Sequence, residues 1–220
     1  EKTSQIIKSS KPDLIFHLAA QSNIPYSFSH PQETITANVN GTLNLLEVIR
    51  QNNLNTTIVS TGSSSEYGHL EKGDKVLSED SPTNPSSPYA ISKLTQSHLI
   101  SLYRQAYKMK VVHVRPFAII GPRKTADALS DFCQLLLKLP LNSDTFEVGN
   151  LEAERDFVDV RDAVRALVDL SENGKPGQTY NICNGQAYKM SQLLEKLIGV
   201  SGINTKPVTS AENSRPIDDM

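Results

Sequence analysis

Tyr89 and Lys93 stand four residues apart in the segment SPYAISK (residues 87–93). Side chains at positions i and i+4 share one face of a helix, so this phenol and this ammonium would be neighbours. An ammonium beside a phenol favours the phenolate and lowers the pKa of the tyrosine. Such a tyrosine could pass a proton to or from a sugar or alcohol oxygen, and Ser63, at the end of a neighbouring strand, could hold that oxygen. These residues therefore predict proton transfer at a sugar or alcohol oxygen.

The Tyr-x-x-x-Lys spacing is weak evidence on its own, because it also occurs as a solvated pair on exposed helix faces. Three neighbouring features favour the catalytic interpretation. A Pro-rich loop precedes the helix, a strand leads into Ser63, and an earlier strand ends in HLAA (residues 17–20). The small residues of HLAA allow a ligand to lie close to the backbone.

The elements that would position these residues follow an alternating pattern. Apolar, β-branched runs predict strands at residues 14–20, 56–60 and 111–115. Helical periodicity predicts a helix at 31–52, and Pro88 marks the start of a second helix, at 89–107. Strands and helices that alternate with short links predict an α/β fold with a parallel sheet. Ligands bind such sheets at the carboxyl ends of the strands. Because Ala20, Ser63 and Phe117 each follow a strand end, we expect them to line one crevice.

The pattern changes after residue 122. Helices are predicted at 128–139, 161–171 and 191–198, with short strands at 146–148, 179–182 and 206–208. We therefore expect residues 1–122 to form the parallel-sheet domain. Residues 123–220 are expected to form a small α+β lobe that closes over the crevice.

Composition excludes several classes of partner. The net charge of −2 gives no electrostatic reason to bind nucleic acid or an anionic membrane, and no apolar run is long enough to cross a bilayer. Cys133 and Cys183 lie far apart among apolar residues, which predicts buried, inert thiols and fits a cytoplasmic protein. The five histidines lack the spacing of metal ligands, so no metal site is expected.

The chain does not begin with Met, and its first residues have the character of a helix already under way. We interpret it as an internal fragment of a longer protein.

Several short motifs follow one another in a specific order. They are HLAA (17–20), NVNGT (38–42), SSSEYG (63–68), SPYAISK (87–93), RPF (115–117), VGNLEA (148–153), RDFVDV (155–160), YNICNG (180–185) and RPID (215–218). Their order and spacing over nearly the whole chain resemble the extended short-chain dehydrogenases/reductases, which include nucleotide-sugar epimerases, dehydratases and reductases. The resemblance implies a Rossmann-like sheet whose first strands, with the glycine fingerprint for the dinucleotide, precede residue 1.

The resemblance also implies roles for individual residues. Tyr89 would be the general acid/base, Lys93 would hold the nicotinamide ribose of NAD or NADP and lower the tyrosine pKa, and Ser63 would hydrogen-bond the reacting oxygen. Further cofactor contacts would come from Leu18, Ala19, Ala20, Gln21 and Phe117. Contacts to a nucleotide-sugar substrate would come from Ser65, Arg155, Arg215 and Asp218. For Arg155 the alternative is an ion pair with Asp156 or Asp159.

The serine cluster helps to choose the reaction. Dehydratases of this family carry a carboxylate at the position of Ser65, and in an extended strand the adjacent Glu66 would face away from Ser63. This argues against elimination of water, although a bulge at the strand end would reverse the inference. Residues 148–157 resemble the branch that acts on GDP-mannose, so we expect reduction of a GDP-4-keto-6-deoxy sugar at C4.

Two kinds of alternative remain open. A GDP-mannose 4,6-dehydratase or a nucleotide-sugar 4-epimerase would use the same serine, tyrosine and lysine. A non-catalytic nucleotide-sugar binding relative would explain Ala118, where family members commonly carry Asn. The resemblance also implies a homodimer formed through the helices at 31–52 and 89–107.

Overall fold

The computed structural model describes residues 2–69, 76–125, 127–140 and 143–210. The chain divides into two compact units, of which the first comprises Glu1–Phe117 with Arg161–Ile182 and the second Ala118–Val160 with Cys183–Met220. The predicted substrate ligands Arg215 and Asp218 lie outside the described residues.

The described residues contain helices and strands in alternation. The strands are β1 (Leu14–His17), β2 (Thr57–Thr61), β3 (Lys110–Pro116), β4 (Ala118–Ile120), β5 (Thr145–Val148), β6 (Glu154–Asp159), β7 (Thr179–Ile182), β8 (Ala187–Lys189) and β9 (Lys206–Thr209). The α-helices are α1 (Lys2–Ser10), α2 (Ile24–Ser29), α3 (Pro31–Ile35), α4 (Gly41–Gln51), α5 (Pro88–Tyr107), α6 (Ala128–Lys138), α7 (Val160–Asn173) and α8 (Met190–Ser201).

The first unit is built on a four-stranded sheet in the order β1-β2-β3-β7, and every neighbouring pair is parallel. This confirms the predicted α/β fold with a parallel sheet. The apolar runs of β2 and β3 are buried because helices cover a parallel sheet on its faces. The core beside this sheet is formed by Ile7, Leu45, Leu46, Val48, Ile49, Ile58, Ile100, Tyr103, Met109 and Val111.

Helix α5 has the bounds predicted from the sequence to within one residue, and local chemistry sets both ends. At its start the Ser87 side chain accepts a hydrogen bond from the Ala90 N–H (3.1 Å), and Pro88 occupies the first turn. At its end Lys108 takes a left-handed conformation. Its buried face mixes apolar and polar side chains, namely Tyr89, Ala90, Ser92, Lys93, Gln96, Ile100 and Tyr103.

The helix predicted at residues 31–52 is interrupted. Helix α3 runs into a π-helical turn, Thr36–Asn40, before α4 continues. Such turns are rare and are found mostly inside α-helices at functional sites. This one carries the buried Asn38.

The single boundary predicted after residue 122 differs from the observed division. Strand β7 was assigned to the smaller lobe, but it pairs with β3 and completes the parallel sheet of the first unit. The chain therefore returns to the first unit through α7 and β7. The assignment of one domain to the cofactor and the other to the substrate stays a prediction.

The second unit has two small sheets. Strand β6 lies between β4, to which it is parallel, and β8, to which it is antiparallel, while β5 pairs with β9. Its buried core is apolar and consists of Phe132, Leu136, Phe146, Val148, Met190 and Leu194.

Cys133 and Cys183 form no disulfide, but the prediction that they are buried is wrong. Cys133 is partly exposed on α6, and Cys183 is exposed just after β7. Strand β7 is short, so the chain leaves the sheet before Cys183. Among the described helices, none combines the length and the apolar character needed to cross a membrane.

Candidate active site

The predicted residues of the first unit follow the carboxyl ends of three adjacent strands. Residues 18–21 follow β1, Ser63 lies two residues beyond β2, and Phe117 directly follows β3. Because parallel strands end at the same edge of a sheet, these positions are neighbours in the fold.

Ser63 begins a short 3-10 helix, Ser64–Tyr67, as its N-cap. Its side-chain oxygen accepts a hydrogen bond from the Ser65 N–H (3.1 Å), which anchors the hydroxyl. The Ser63 side chain also acts on the phenol of Tyr89, in the first turn of α5, where it works against the rise in the pKa of that phenol. Two of the three predicted catalytic groups are thus neighbours.

Lys93 is buried on the same face of α5. Its ammonium donates to the Thr61 carbonyl (2.8 Å) and to Oε1 of Gln96 (3.3 Å), and it lies 6.0 Å from the ring centroid of Tyr89. Burial lowers the pKa of Lys93 to about 8, although the negative charge of Glu66 opposes the shift. The structure therefore brings Ser63, Tyr89 and Lys93 together at the end of β2.

The expected effect of Lys93 on Tyr89 is not what the structure shows. Burial of Tyr89 raises the pKa of its phenol, and this outweighs the opposing hydrogen bond from Ser63, while the charge of Glu66 raises the pKa further. The ammonium of Lys93 is directed to the Thr61 carbonyl and not to the phenol oxygen. In this structure Tyr89 is therefore a protonated phenol at neutral pH.

The backbone at Glu66 also differs from the prediction. The segment is a 3-10 helix and not an extended strand, so side chains do not alternate between two faces. The Glu66 side chain is fully buried, and its carboxylate accepts hydrogen bonds from the Ser63 N–H (2.9 Å) and Nε of Arg115 (2.8 Å).

The loop after β1 is held by Asn38, a residue for which the sequence analysis predicted no role. Its side-chain amide accepts from the Gln21 N–H (2.7 Å) and donates to the Gln21 carbonyl (2.9 Å) and to Oγ of Ser92 (2.8 Å). The signal that could have identified it is its place in the NVNGT motif, in the middle of an apolar helix pattern.

The predicted cofactor residues of this loop differ in exposure. Leu18 and Ala19 are exposed, whereas Ala20 and Gln21 are half-buried, as is Phe117. The amide nitrogen of the Gln21 side chain donates to Oγ1 of Thr34 (2.8 Å). Gln21 therefore shapes the loop, and the small and apolar residues beside it form the accessible surface.

His17, at the end of β1, contributes a neutral imidazole. Its Nε2 lies 2.9 Å from Oγ1 of Thr42. Burial, helped by the charge of Lys93, lowers the pKa of His17 to about 4.

Two predicted substrate residues can be located. Ser65 is half-buried in the 3-10 helix of the first unit. Arg155 is exposed on β6 of the second unit and donates to the Glu154 carbonyl (2.8 Å). The neighbouring Asp156 carboxylate accepts from the N–H groups of Asn184 (2.8 Å) and Gly185 (2.7 Å), which gives Asp156 a structural task.

Known proteins resemble the chain over nearly its whole length. The family model described as GDP-mannose 4,6 dehydratase matches residues 1–218. A GDP-6-deoxy-D-mannose reductase of Pseudomonas aeruginosa is 31% identical over 93% of this chain and 68% of the relative. A UDP-glucose 4-epimerase of Mycolicibacterium smegmatis is 30% identical over 90% of this chain and 63% of the relative.

A solved structure agrees with these relatives. RMD from Pseudomonas aeruginosa, complexed with NADPH, superposes with a TM-score of 0.85 at 31% identity over 90% of this chain and 67% of that one. The chain thus spans about two thirds of the length of these proteins. The match to the family model and the parallel sheet with its serine, tyrosine and lysine lead to one conclusion: the chain belongs to the GDP-mannose 4,6 dehydratase family of extended short-chain dehydrogenases/reductases.

Proposed function

We propose that the protein is an NAD(P)-dependent reductase that acts on the 4-keto group of a GDP-4-keto-6-deoxy sugar. The observation that carries the proposal is that Ser63, Tyr89 and Lys93 converge where β2 ends. The Ser63 side chain acts on the Tyr89 phenol, and the Lys93 ammonium, buried on the same helix face as that phenol, donates to the Thr61 carbonyl. A relative that is 31% identical over 93% of this chain is a GDP-6-deoxy-D-mannose reductase, which supports the choice of sugar.

The residues at the end of the sheet fit a nicotinamide nucleotide. An ammonium has three N–H donors, and Lys93 directs two of them to Thr61 and Gln96, so the third can donate to a ribose hydroxyl. Leu18, Ala19, Ala20 and Phe117 offer a small and apolar surface to the nicotinamide ring, and Gln21 fixes the loop that carries it. The reduced cofactor, when bound, supplies hydride to C4 of the keto sugar.

Tyr89 acts as the general acid in this proposal. Its raised pKa keeps the phenol protonated at neutral pH, as a donor to a newly formed alkoxide must be. The Ser63 hydroxyl donates a hydrogen bond to the same oxygen and stabilises the charge that develops on it. Lys93 orients the ribose and lowers the free energy of the phenolate that remains.

The substrate contacts follow from charge and shape. A planar guanidinium makes bidentate hydrogen bonds to phosphate, so we assign Arg155 and Arg215 to the substrate diphosphate. Ser65 and Asp218 are assigned to the sugar. Because Ser65 stands where dehydratases carry a carboxylate, no acid/base group is supplied there for the elimination of water.

A 4-epimerase is the second candidate, and one comparison favours it. The Mycolicibacterium smegmatis relative at 30% identity is a UDP-glucose 4-epimerase. An epimerase would use Tyr89 first as a base, and a buried phenol of raised pKa is poorly suited to that step.

One experiment separates these candidates. Full-length protein is incubated with GDP-mannose, with its 4-keto-6-deoxy derivative and with UDP-glucose, and NAD(P)H is followed by absorbance. Consumption of NAD(P)H with the keto sugar is the expected result. Product formed without net change in NAD(P)H would assign a dehydratase or an epimerase, and binding of sugar without product would assign a non-catalytic relative.

The proposal extends to assembly and location. We propose a homodimer in the cytoplasm, paired through residues 31–52, which form α3, the π-helical turn and α4, and through α5. Sedimentation equilibrium of the full-length protein tests the dimer, and a monomer at micromolar concentration would exclude it.

A further inference from the structure

Glu66 is a fully buried carboxylate beside the site, and the proposed mechanism does not use it. It belongs to a short 3-10 helix whose N-cap is Ser63. Oε1 of Glu66 accepts a hydrogen bond from the Ser63 N–H (2.9 Å), while Oγ of Ser63 accepts one from the Ser65 N–H (3.1 Å). Such a reciprocal pair is a capping box, and it fixes both the backbone and the side chain of the cap residue.

The second oxygen of the carboxylate is held from β3. Nε of Arg115 donates to Oε2 of Glu66 (2.8 Å), and Arg115 also donates to the Tyr67 hydroxyl (3.0 Å) and to the Glu79 carbonyl (3.2 Å). A buried charge is tolerated when it is paired and its remaining oxygens are hydrogen-bonded. The carboxylate is therefore held rigidly between Ser63 and Arg115.

Gly62 shows how closely the turn is packed against this carboxylate. A Cβ atom at Gly62 would overlap Oε1 of Glu66 and Nε2 of His113. The Gly62 N–H also donates to the Val114 carbonyl (2.7 Å), which ties the turn to β3. The backbone before Ser63 thus has no room to shift while Glu66 stays in place.

We propose that Glu66 is a positioning residue, which fixes the backbone of Ser63 through the capping box and so directs the Ser63 hydroxyl at the phenol of Tyr89. This inference rests on the proposed function, in which that hydroxyl and that phenol act on one substrate oxygen. Arg115 forms an ion pair with the Glu66 carboxylate and so stabilises its charged form.

The electrostatic surroundings of Glu66 give this role a second, measurable consequence. The charged and titratable groups that face it are His113 and Arg115 on β3 and, through the field, Tyr89 and Lys93 on α5. Its negative charge raises the pKa of both Tyr89 and Lys93. Removal of the charge should lower the pKa of Lys93. At Tyr89 the lost charge lowers the pKa and a misdirected Ser63 hydroxyl raises it, so the shift of the Tyr89 pKa should depend on whether Ser63 is present.

The test uses full-length protein with the variants Glu66→Gln, Ser63→Ala and the two combined. Glu66→Gln keeps the shape but offers one acceptor oxygen to two donors, so turnover should fall about tenfold, the scale of one lost hydrogen bond. The KM for NADPH should change little. Because Glu66 acts through Ser63, its substitution should have almost no further effect in the Ser63→Ala background.

Glu79→Gln is the matched control. Glu79 is an exposed carboxylate of the same hydrogen-bond network, where it accepts the Asn181 N–H (2.7 Å), and it makes no described hydrogen bond to Ser63. Its substitution should leave turnover and the pH profile unchanged. If Glu66→Gln does not fold, the double variant Glu66→Gln/Arg115→Met, which removes both buried charges, takes its place. The same loss of turnover is expected, with the same lack of further effect in the Ser63→Ala background.

A readout without turnover separates this inference from the proposed function. Tyrosine labelled with ¹³C at Cζ reports the titration of Tyr89, and the signal is assigned by its loss in Tyr89→Phe. Loss of the Glu66 charge lowers the pKa of Tyr89 in every background, whereas loss of the Ser63 interaction raises it, so Glu66→Gln should lower this pKa less when Ser63 is present than in the Ser63→Ala background, even if no keto sugar is reduced. Equal shifts of the Tyr89 pKa in the two backgrounds, or rate losses of Glu66→Gln and Ser63→Ala that simply multiply, would overturn the inference.

Discussion

The two units of the chain have interiors of different character. Among the described residues, the buried polar and charged side chains all lie in the first unit, except for Thr205. Those nearest the proposed site include Asn38, Ser63, Glu66 and Lys93. The second unit instead packs phenylalanine, leucine, valine and methionine side chains around Leu194.

This difference suggests that the core of the second unit contributes mainly to stability and the buried polar groups of the first unit mainly to activity. A buried polar group destabilises a fold unless it is hydrogen-bonded, and apolar burial stabilises a fold without such conditions. The first unit accepts buried polar groups where its sheet ends, and Asn38, Glu66 and Lys93 near the proposed site are each hydrogen-bonded in one geometry. We therefore expect substitutions in the second core to alter mainly stability, and substitutions at the sheet end to alter mainly activity.

Leu194→Ala should give the largest effect on stability. Leu194 is completely buried on α8, so its truncation leaves a cavity and should lower the free energy of unfolding by about 2–5 kcal/mol. Urea denaturation of the full-length protein measures it. Val200→Ala on the same helix is the control, because Val200 is 88% exposed and its loss should change little. Equal effects of the two would contradict an apolar core at this place.

Tyr89→Phe should lower turnover by roughly a hundredfold or more, the usual scale for loss of a general acid, with the melting temperature nearly unchanged. Steady-state reduction of the keto sugar measures turnover. Tyr103→Phe is matched to it, since Tyr103 is equally buried on α5 but donates to Glu47 (2.6 Å). Near-normal turnover of Tyr89→Phe would remove the phenol from the mechanism.

Asn38→Ala should act on both stability and cofactor binding. It deletes three hydrogen bonds and leaves the backbone N–H and carbonyl of Gln21 without their Asn38 partner, which should destabilise the fold by about 2 kcal/mol, while the Ser92 hydroxyl keeps its bond to the Tyr89 carbonyl (2.6 Å). The loosened loop should weaken NADPH binding, measured by fluorescence titration. Asn44→Ala, at an exposed position of α4, should do neither. If Asn38→Ala binds NADPH as tightly as the wild type does, the loop after β1 does not need the hydrogen bonds of Asn38 for cofactor binding.

Lys93→Met should abolish most activity yet stabilise the fold by about 1–2 kcal/mol. The pKa of Lys93 falls to about 8 from its ordinary 10.5 because the fold disfavours the buried charge. In the wild type, the unfolded chain then binds the Lys93 proton more tightly than the folded chain does. The stability that Lys93→Met gains over the wild type should therefore be complete below pH 8 and should vanish as the pH rises through 10.5. Denaturation of wild type and variant across this range measures it, with the exposed Lys175→Met as control. A gain independent of pH would assign it to packing alone.

Much of this arrangement could be predicted from local sequence. The parallel sheet and α5 were predictable because apolar runs, Pro88 and the Ser87 cap are local signals. The neighbourhood of Ser63, Tyr89 and Lys93 followed from the strand ends.

Other features depend on contacts that local patterns do not encode. The position of β7 could not be predicted, because Thr179–Ile182 joins β3 across more than sixty residues of intervening chain. The predicted orientation of the Glu66 side chain is wrong, because a capping box, and not strand alternation, decides where this side chain lies. The predicted direction of the Tyr89 pKa shift is wrong, because burial raises this pKa and the ammonium of Lys93 is directed to the Thr61 carbonyl.

The π-helical turn at Thr36–Asn40 makes the length of its segment as important as its composition. A turn of this kind holds one residue more than a regular α-helical path, and each residue advances a helix by about 100°. Loss of any one residue between Pro31 and Asn40 would let the helix run straight and would swing Asn38 away from the loop after β1, while the apolar face of α4 stayed in the core. Natural variation here should therefore exchange the exposed side chains but keep Asn38 and the number of residues constant.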